Sequence, residues 1–107
     1  MSSVPRMRHR ELAAGRWRSL PLIEQLANTG SEVERALKWA AKGNDRLSTS
    51  AVERALELLG LTIADPKNKH RLKELTRLRE ALLDYFYCSN DYGSSPETWH
   101  RYFHAYG

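Results

Sequence analysis

Asp65-Pro66-Lys67-Asn68-Lys69-His70-Arg71-Leu72-Lys73-Glu74-Leu75-Thr76-Arg77-Leu78-Arg79-Glu80-Ala81-Leu82-Leu83-Asp84-Tyr85-Phe86-Tyr87-Cys88 carries the clearest helix signal in the chain. Asp65 is a natural N-cap, because its carboxylate can accept an orphan backbone N–H. Pro66 suits the first helical position, where a missing N–H costs nothing. Leu72, Leu75, Leu78, Leu82, Tyr85 and Phe86 then recur at helical spacing and define one apolar stripe. The helix is predicted to end near Cys88, where Ser89-Asn90-Asp91-Tyr92-Gly93-Ser94 supplies turn chemistry.

The same grammar repeats on either side. Downstream, Ser95 caps a short helix with Pro96 at its first position, and Trp99, Tyr102, Phe103 and Tyr106 follow at i, i+3, i+4 and i+7. Upstream, Ser50-x-x-Glu53 reads as a capping box opening a second helix, with Val52, Ala55, Leu56, Leu59 and Ile63 on one face. A first helix is predicted from Ser19, with Pro21 in its first turn, to Lys42 before the Gly43-Asn44 stop. Its stripe is Leu22, Leu26, Val33, Leu37 and Ala40, and Gly30 lies within it. A mid-helix glycine costs about 1 kcal/mol against alanine, so a close helix contact is expected there. No strand pattern of useful length occurs. The predicted fold is all-α: a small bundle of three longer helices plus a short C-terminal helix over 19–107, preceded by an Arg-rich arm over 1–18.

A chain of 107 residues, 41% hydrophobic with mean hydropathy −0.63, supports one domain and not two. No apolar run approaches the roughly 18 residues of a membrane span, and the N-terminus has no secretory apolar region. The single cysteine, Cys88, excludes an internal disulfide framework. A lone cysteine at the end of an apolar helix is expected to serve as a small buried hydrophobe. A cytoplasmic protein is expected.

The net charge of +4 is unevenly spread. Residues 1–18 carry Arg6, Arg8, Arg10, Arg16 and Arg18 against Glu11, a balance of +4. Residues 66–79 carry Lys67, Lys69, Arg71, Lys73, Arg77 and Arg79 against Glu74, a balance of +5. Residues 80–107 hold Arg101 against four carboxylates, a balance of −3. Such segregation attracts an anionic partner, or lets copies of the chain attract one another. Lys67 and Lys69 sit in the first turn of a predicted helix, where the macrodipole disfavours cations. A phosphate track along Lys67, Lys69, Lys73 and Arg77, joined by the arm's arginines, would explain them; so would an acidic surface on a second copy.

Other residues depart from the amphipathic pattern. Arg79 is expected between Leu72 and Phe86, inside the apolar stripe, where it would need an ion partner or a ligand. Trp39 lies opposite Leu22, Val33 and Leu37, so it either meets a partner or is covered by Trp17 or the C-terminal aromatics. The quartet Trp99, Tyr102, Phe103 and Tyr106 reads as core or interface glue rather than a base-stacking platform, because only Arg101 is near it in sequence. Glu97, His100 and His104 share one side of the last helix at i, i+3 and i+7 and form a weak metal-like set. Without a second ligand cluster, no metal or cofactor is expected.

Gly-rich phosphate loops, G-x-S-x-G and H-E-x-x-H are absent. The chain is similar in size and class to compact four-helix HEPN-type ribonucleases, but their signature Arg followed four to six residues later by His is missing. The resemblance therefore implies architecture alone. The predicted function is non-enzymatic protein–protein association, with a homodimer through Trp39, Trp99, Tyr102, Phe103, Tyr106 and Arg79. The alternative is nucleic-acid binding through the two basic blocks. No membrane or small-molecule partner is inferred.

Overall fold

A computed structural model describes residues 15–106, all of it helices and turns. After a helical turn over 15–18 come α1 (Leu22–Ala41), α2 (Asp45–Ala64), a 3-10 segment (Pro66–Arg71), α3 (Leu72–Tyr87) and α4 (Pro96–His104). The all-α bundle of three longer helices and one short one is therefore the architecture. Among the described residues no helix is long and apolar enough to cross a membrane.

α1 and α2 are 20 residues each and form an antiparallel hairpin. Their contacts pair early α1 with late α2: Gln25 meets Asp65, and Ala36 meets Ser48. Gly43 makes the turn at φ +75°, a conformation that glycine adopts without a Cβ clash. Asn44, not Ser50, caps α2, its side chain accepting from the Leu47 N–H at 3.0 Å. Ser50 is exposed inside the helix, so the capping-box expectation is corrected: an equally good cap six residues earlier starts the helix first.

Asp65 and Pro66 open the next segment as expected, with Asp65 accepting from the Lys67 N–H. The predicted single helix over 66–88 is nevertheless two pieces. Asn68 is 2% exposed and donates back to the Thr62 carbonyl, which holds 66–71 in a tight 3-10 path before the α-helix begins. α3 stops at Tyr87, and the buried Asp84 carboxylate accepts from the backbone N–H groups of Asp91 and Tyr92 to fold the loop back. Ser95 and Thr98 then form a reciprocal capping box on α4.

Leu26, Val33, Ala55, Leu59, Leu75, Leu78, Leu82, Trp99 and Phe103 build the main core. Ala36, Ala51 and Val52 extend it between α1 and α2. Within the predicted stripes, Ala40 and Leu72 are exposed. Arg79 is also exposed, and its expected place inside the stripe is corrected. The buried line of α3 runs through Leu75, Leu78 and Leu82; Leu72 and Phe86 mark its margins, so a residue between those two falls off the core face.

α4 crosses α1 at Gly30. A Cβ built there would stand 2.7 Å from Phe103 Cγ and 2.8 Å from its Cβ. The expected close helix contact is present, and hydrogen in place of a side chain is what allows it.

Candidate functional site

The arm's base is part of the folded unit. Trp17 is buried and donates from its indole N–H to Thr62 Oγ1 at 2.9 Å. Gln25, fully buried, donates from Nε2 to the Trp17 carbonyl at 2.9 Å and to Asp65 Oδ2 at 3.0 Å, and accepts from Asn68 Nδ2 at 2.9 Å. Each member of this buried cluster has partners, which is the condition for a polar network to specify a packing rather than weaken it. Burial pushes the Asp65 carboxyl up, but hydrogen bonds from Lys67 and Gln25 outweigh it and hold the group below its ordinary value.

Lys67 caps the cluster from outside. Its ammonium pairs with the Asp65 carboxylate and donates to the Arg18 carbonyl at 2.9 Å. A cation in the first turn thus has an N-cap carboxylate beside it, which offsets the unfavourable macrodipole. The same contact brings exposed Arg16 and Arg18 to the end of the molecule that carries the 66–79 segment. Arg6, Arg8 and Arg10 lie outside the described residues.

Lys69, Lys73 and Arg77 are exposed, and none has a carboxylate within 4.0 Å among the described residues. His70, Arg71, Lys73, Glu74 and Arg77 line an open cleft of 380 Å³. Within it, Arg71 donates from Nε at 2.7 Å and from Nη2 at 2.6 Å to Glu74 Oε1. Glu74 Oε2 accepts from the hydroxyls of Tyr102 at 3.1 Å and Tyr106 at 3.4 Å. Burial pushes the Glu74 carboxyl up; the Arg71 and tyrosine hydrogen bonds more than reverse this, so it stays ionised below the usual range. Burial, with Tyr106 and Glu74 adjoining, pushes the Tyr102 phenol up.

The residues expected to meet a protein partner are dispersed. Trp99 and Phe103 are interior at 3% and 5% exposure, so they serve this chain's own core and offer no surface to a second copy. The Trp99 indole N–H finds no acceptor among the described residues, so its contribution is apolar area and contact with Tyr85 at 5.9 Å between ring centroids. Tyr102 and Tyr106 are half-buried on Glu74. Trp39 is half-buried, with Lys42 Nζ 5.5 Å from its ring centroid. Trp17 sits on Thr62, and α4 packs against α1 at Gly30.

Between α1 and α4 runs a second groove, of 540 Å³, with Glu34, Glu97, His100 and His104 along it. His100 Nδ1 stands 2.6 Å from Glu34 Oε2, so the histidine is engaged across the helix crossing. Among the described residues no three His, Cys, Asp or Glu side chains come together to hold a metal, and the set Glu97, His100 and His104 does not converge. Cys88 is exposed, contrary to the buried role expected of it, because α3 has already ended one residue before it and its backbone is extended.

Sequence reasoning did not anticipate the Gln25–Asp65–Asn68 cluster or the Glu74 hub. Both depend on residues 28 to 43 positions apart meeting in space, for which local spacing carries no signal. No family model, curated protein or solved structure matches the chain.

Proposed function

We propose that the protein works by binding, and that its basic end holds nucleic-acid phosphates. The observation that carries this is the Lys67–Arg18 contact. It brings Arg16 and Arg18, far away in sequence, to the 66–79 block of charge +5. Lys69, Lys73 and Arg77 project from that end without acidic partners among the described residues. Unpaired cations at close quarters repel one another; a polyanion relieves that repulsion and releases counterions.

Fluorescence anisotropy with labelled DNA and RNA, titrated at low and at moderate salt, tests the proposal. Affinity is expected to fall steeply with salt, by about 0.9 in log–log slope for each phosphate contacted on duplex. Replacing Lys69, Lys73 and Arg77 together by Ala is expected to lower that slope by about two to three. Absence of binding at low salt removes the proposal.

Self-association is the second reading, and Trp39 favours it. A half-exposed tryptophan beside the open hollow of Ser31, Glu34, Arg35 and Lys38 is a side chain of the kind that anchors interfaces. The opposite-sign segments 66–79 and 80–107 supply complementary charge for a symmetric dimer. Light scattering after size exclusion is expected to show a dimer that Trp39→Ala shifts to monomer. A parent chain that stays monomeric at high concentration rules this out.

A further inference from the structure

We infer that the cleft at 70–77, Tyr102 of α4 and Tyr106 in the turn just after it form a binding site for single-stranded polynucleotide, with a base stacked on Tyr106 and phosphates on His70, Lys73 and Arg77. The inference rests on the nucleic-acid proposal above and narrows it to one strand form and one site. In sequence, the aromatic helix stands in the acidic part of the chain and lacks the basic neighbours of a stacking platform. The fold supplies them. Tyr102 and Tyr106 both place their hydroxyls on Glu74, and Glu74 is a wall of the cleft that His70, Lys73 and Arg77 also line.

The acidic residue in the middle does not spoil the site. Glu74 is hydrogen-bonded on one oxygen by Arg71 and on the other by the two phenols, so its charge is largely answered before a phosphate arrives. The same bonds fix the rings. Tyr102 is held edge-on against Phe103, 5.0 Å between centroids at 88°, and is committed to the core side. Tyr106 stands 5.6 Å from the Tyr102 ring at a 50° tilt, packs partly on the core and keeps exposed area. A ring already oriented gives up little freedom when a base stacks on it. Any base offers a π-face, so stacking here is sequence-tolerant. A duplex hides those faces within its own stack, so it can use the cations but not the ring.

The test compares oligothymidylate, oligouridylate and a blunt DNA duplex of equal phosphate number by anisotropy. Both single strands are expected to bind more tightly than the duplex. Tyr106→Ala is expected to weaken single-strand binding about tenfold with the salt slope unchanged, while Tyr106→Phe, which keeps the ring but loses its bond to Glu74, is expected to lose clearly less. Photocrosslinking of a bromouracil-substituted strand to the parent chain, mapped by mass spectrometry, is expected to put the adduct on Tyr106 and needs no variant to fold. Equal or tighter duplex binding, an unaffected Tyr106→Ala, or an adduct elsewhere overturns the stacking site and leaves the phosphate proposal standing. Failure of all three probes to bind at low salt removes both.

Discussion

Gln25→Leu is expected to destabilise the chain by about 3 kcal/mol, the range in which a buried hydrogen-bonding centre is lost and its partners are left unmet. Leucine fills a similar volume, so packing is nearly kept and the loss is one of polar satisfaction. The Trp17 carbonyl keeps only the Leu20 N–H, Asp65 Oδ2 loses one of two donors, and the Asn68 side chain keeps only Thr62. Urea denaturation followed by circular dichroism measures the change, and a loss under about 1 kcal/mol would show that water replaces the amide at little cost. The cluster also sets an acid dependence. The folded Asp65 carboxyl lies below its unfolded value of about 3.9. Its stabilising contribution is therefore full above that value and lost as pH falls through the folded one. The stability gap between the parent and Asp65→Asn should be widest near neutral pH and shrink below about pH 4.

Gly30→Val is expected to cost about 2–3 kcal/mol, because overpacking a helix crossing forces backbones apart. The nearest atoms to the added Cβ are Phe103 Cγ, Cβ and Cδ1 at 2.7–2.8 Å, the root of the ring rather than a flexible tip. Side-chain rotation cannot clear them, so α4 must move. Hydrogen exchange over 96–104 should accelerate more than exchange in α1 or α2, since the α1–α2 hairpin has its own contacts. Gly30→Ala tests the sign. Alanine gains about 1 kcal/mol of helix propensity. A net stabilisation of that size would mean the crossing is looser than the contact distances imply; net destabilisation confirms that approach outweighs propensity.

Much of the helical grammar was legible before any coordinates. Asp65-Pro66, Gly43-Asn44 and Ser95-Pro96 mark helix ends because each satisfies or omits a backbone group locally. Gly30 was legible as an anomaly, since a costly residue inside a helix needs a reason. Asn44 against Ser50 was not resolved by spacing, because both are good caps and only packing of Ala51 and Val52 onto Ala36 decides which is used. Arg79 was misplaced because Leu72 and Phe86, which framed it, prove marginal to the core.

For the candidate site the division is sharper. The amino-acid order alone determined that the chain is helical, that its cations fall into two blocks, and that its aromatics gather in the last helix; these are properties of near neighbours and survive any tertiary arrangement. Only the tertiary structure decided that Lys67 brings the arm's base to the second block, that Trp99 and Phe103 turn inward, and that Tyr102 and Tyr106 return to Glu74. The physical reason is that these contacts join residues 28 to 73 positions apart, and helical periodicity says which face a side chain occupies without saying which other face it will meet.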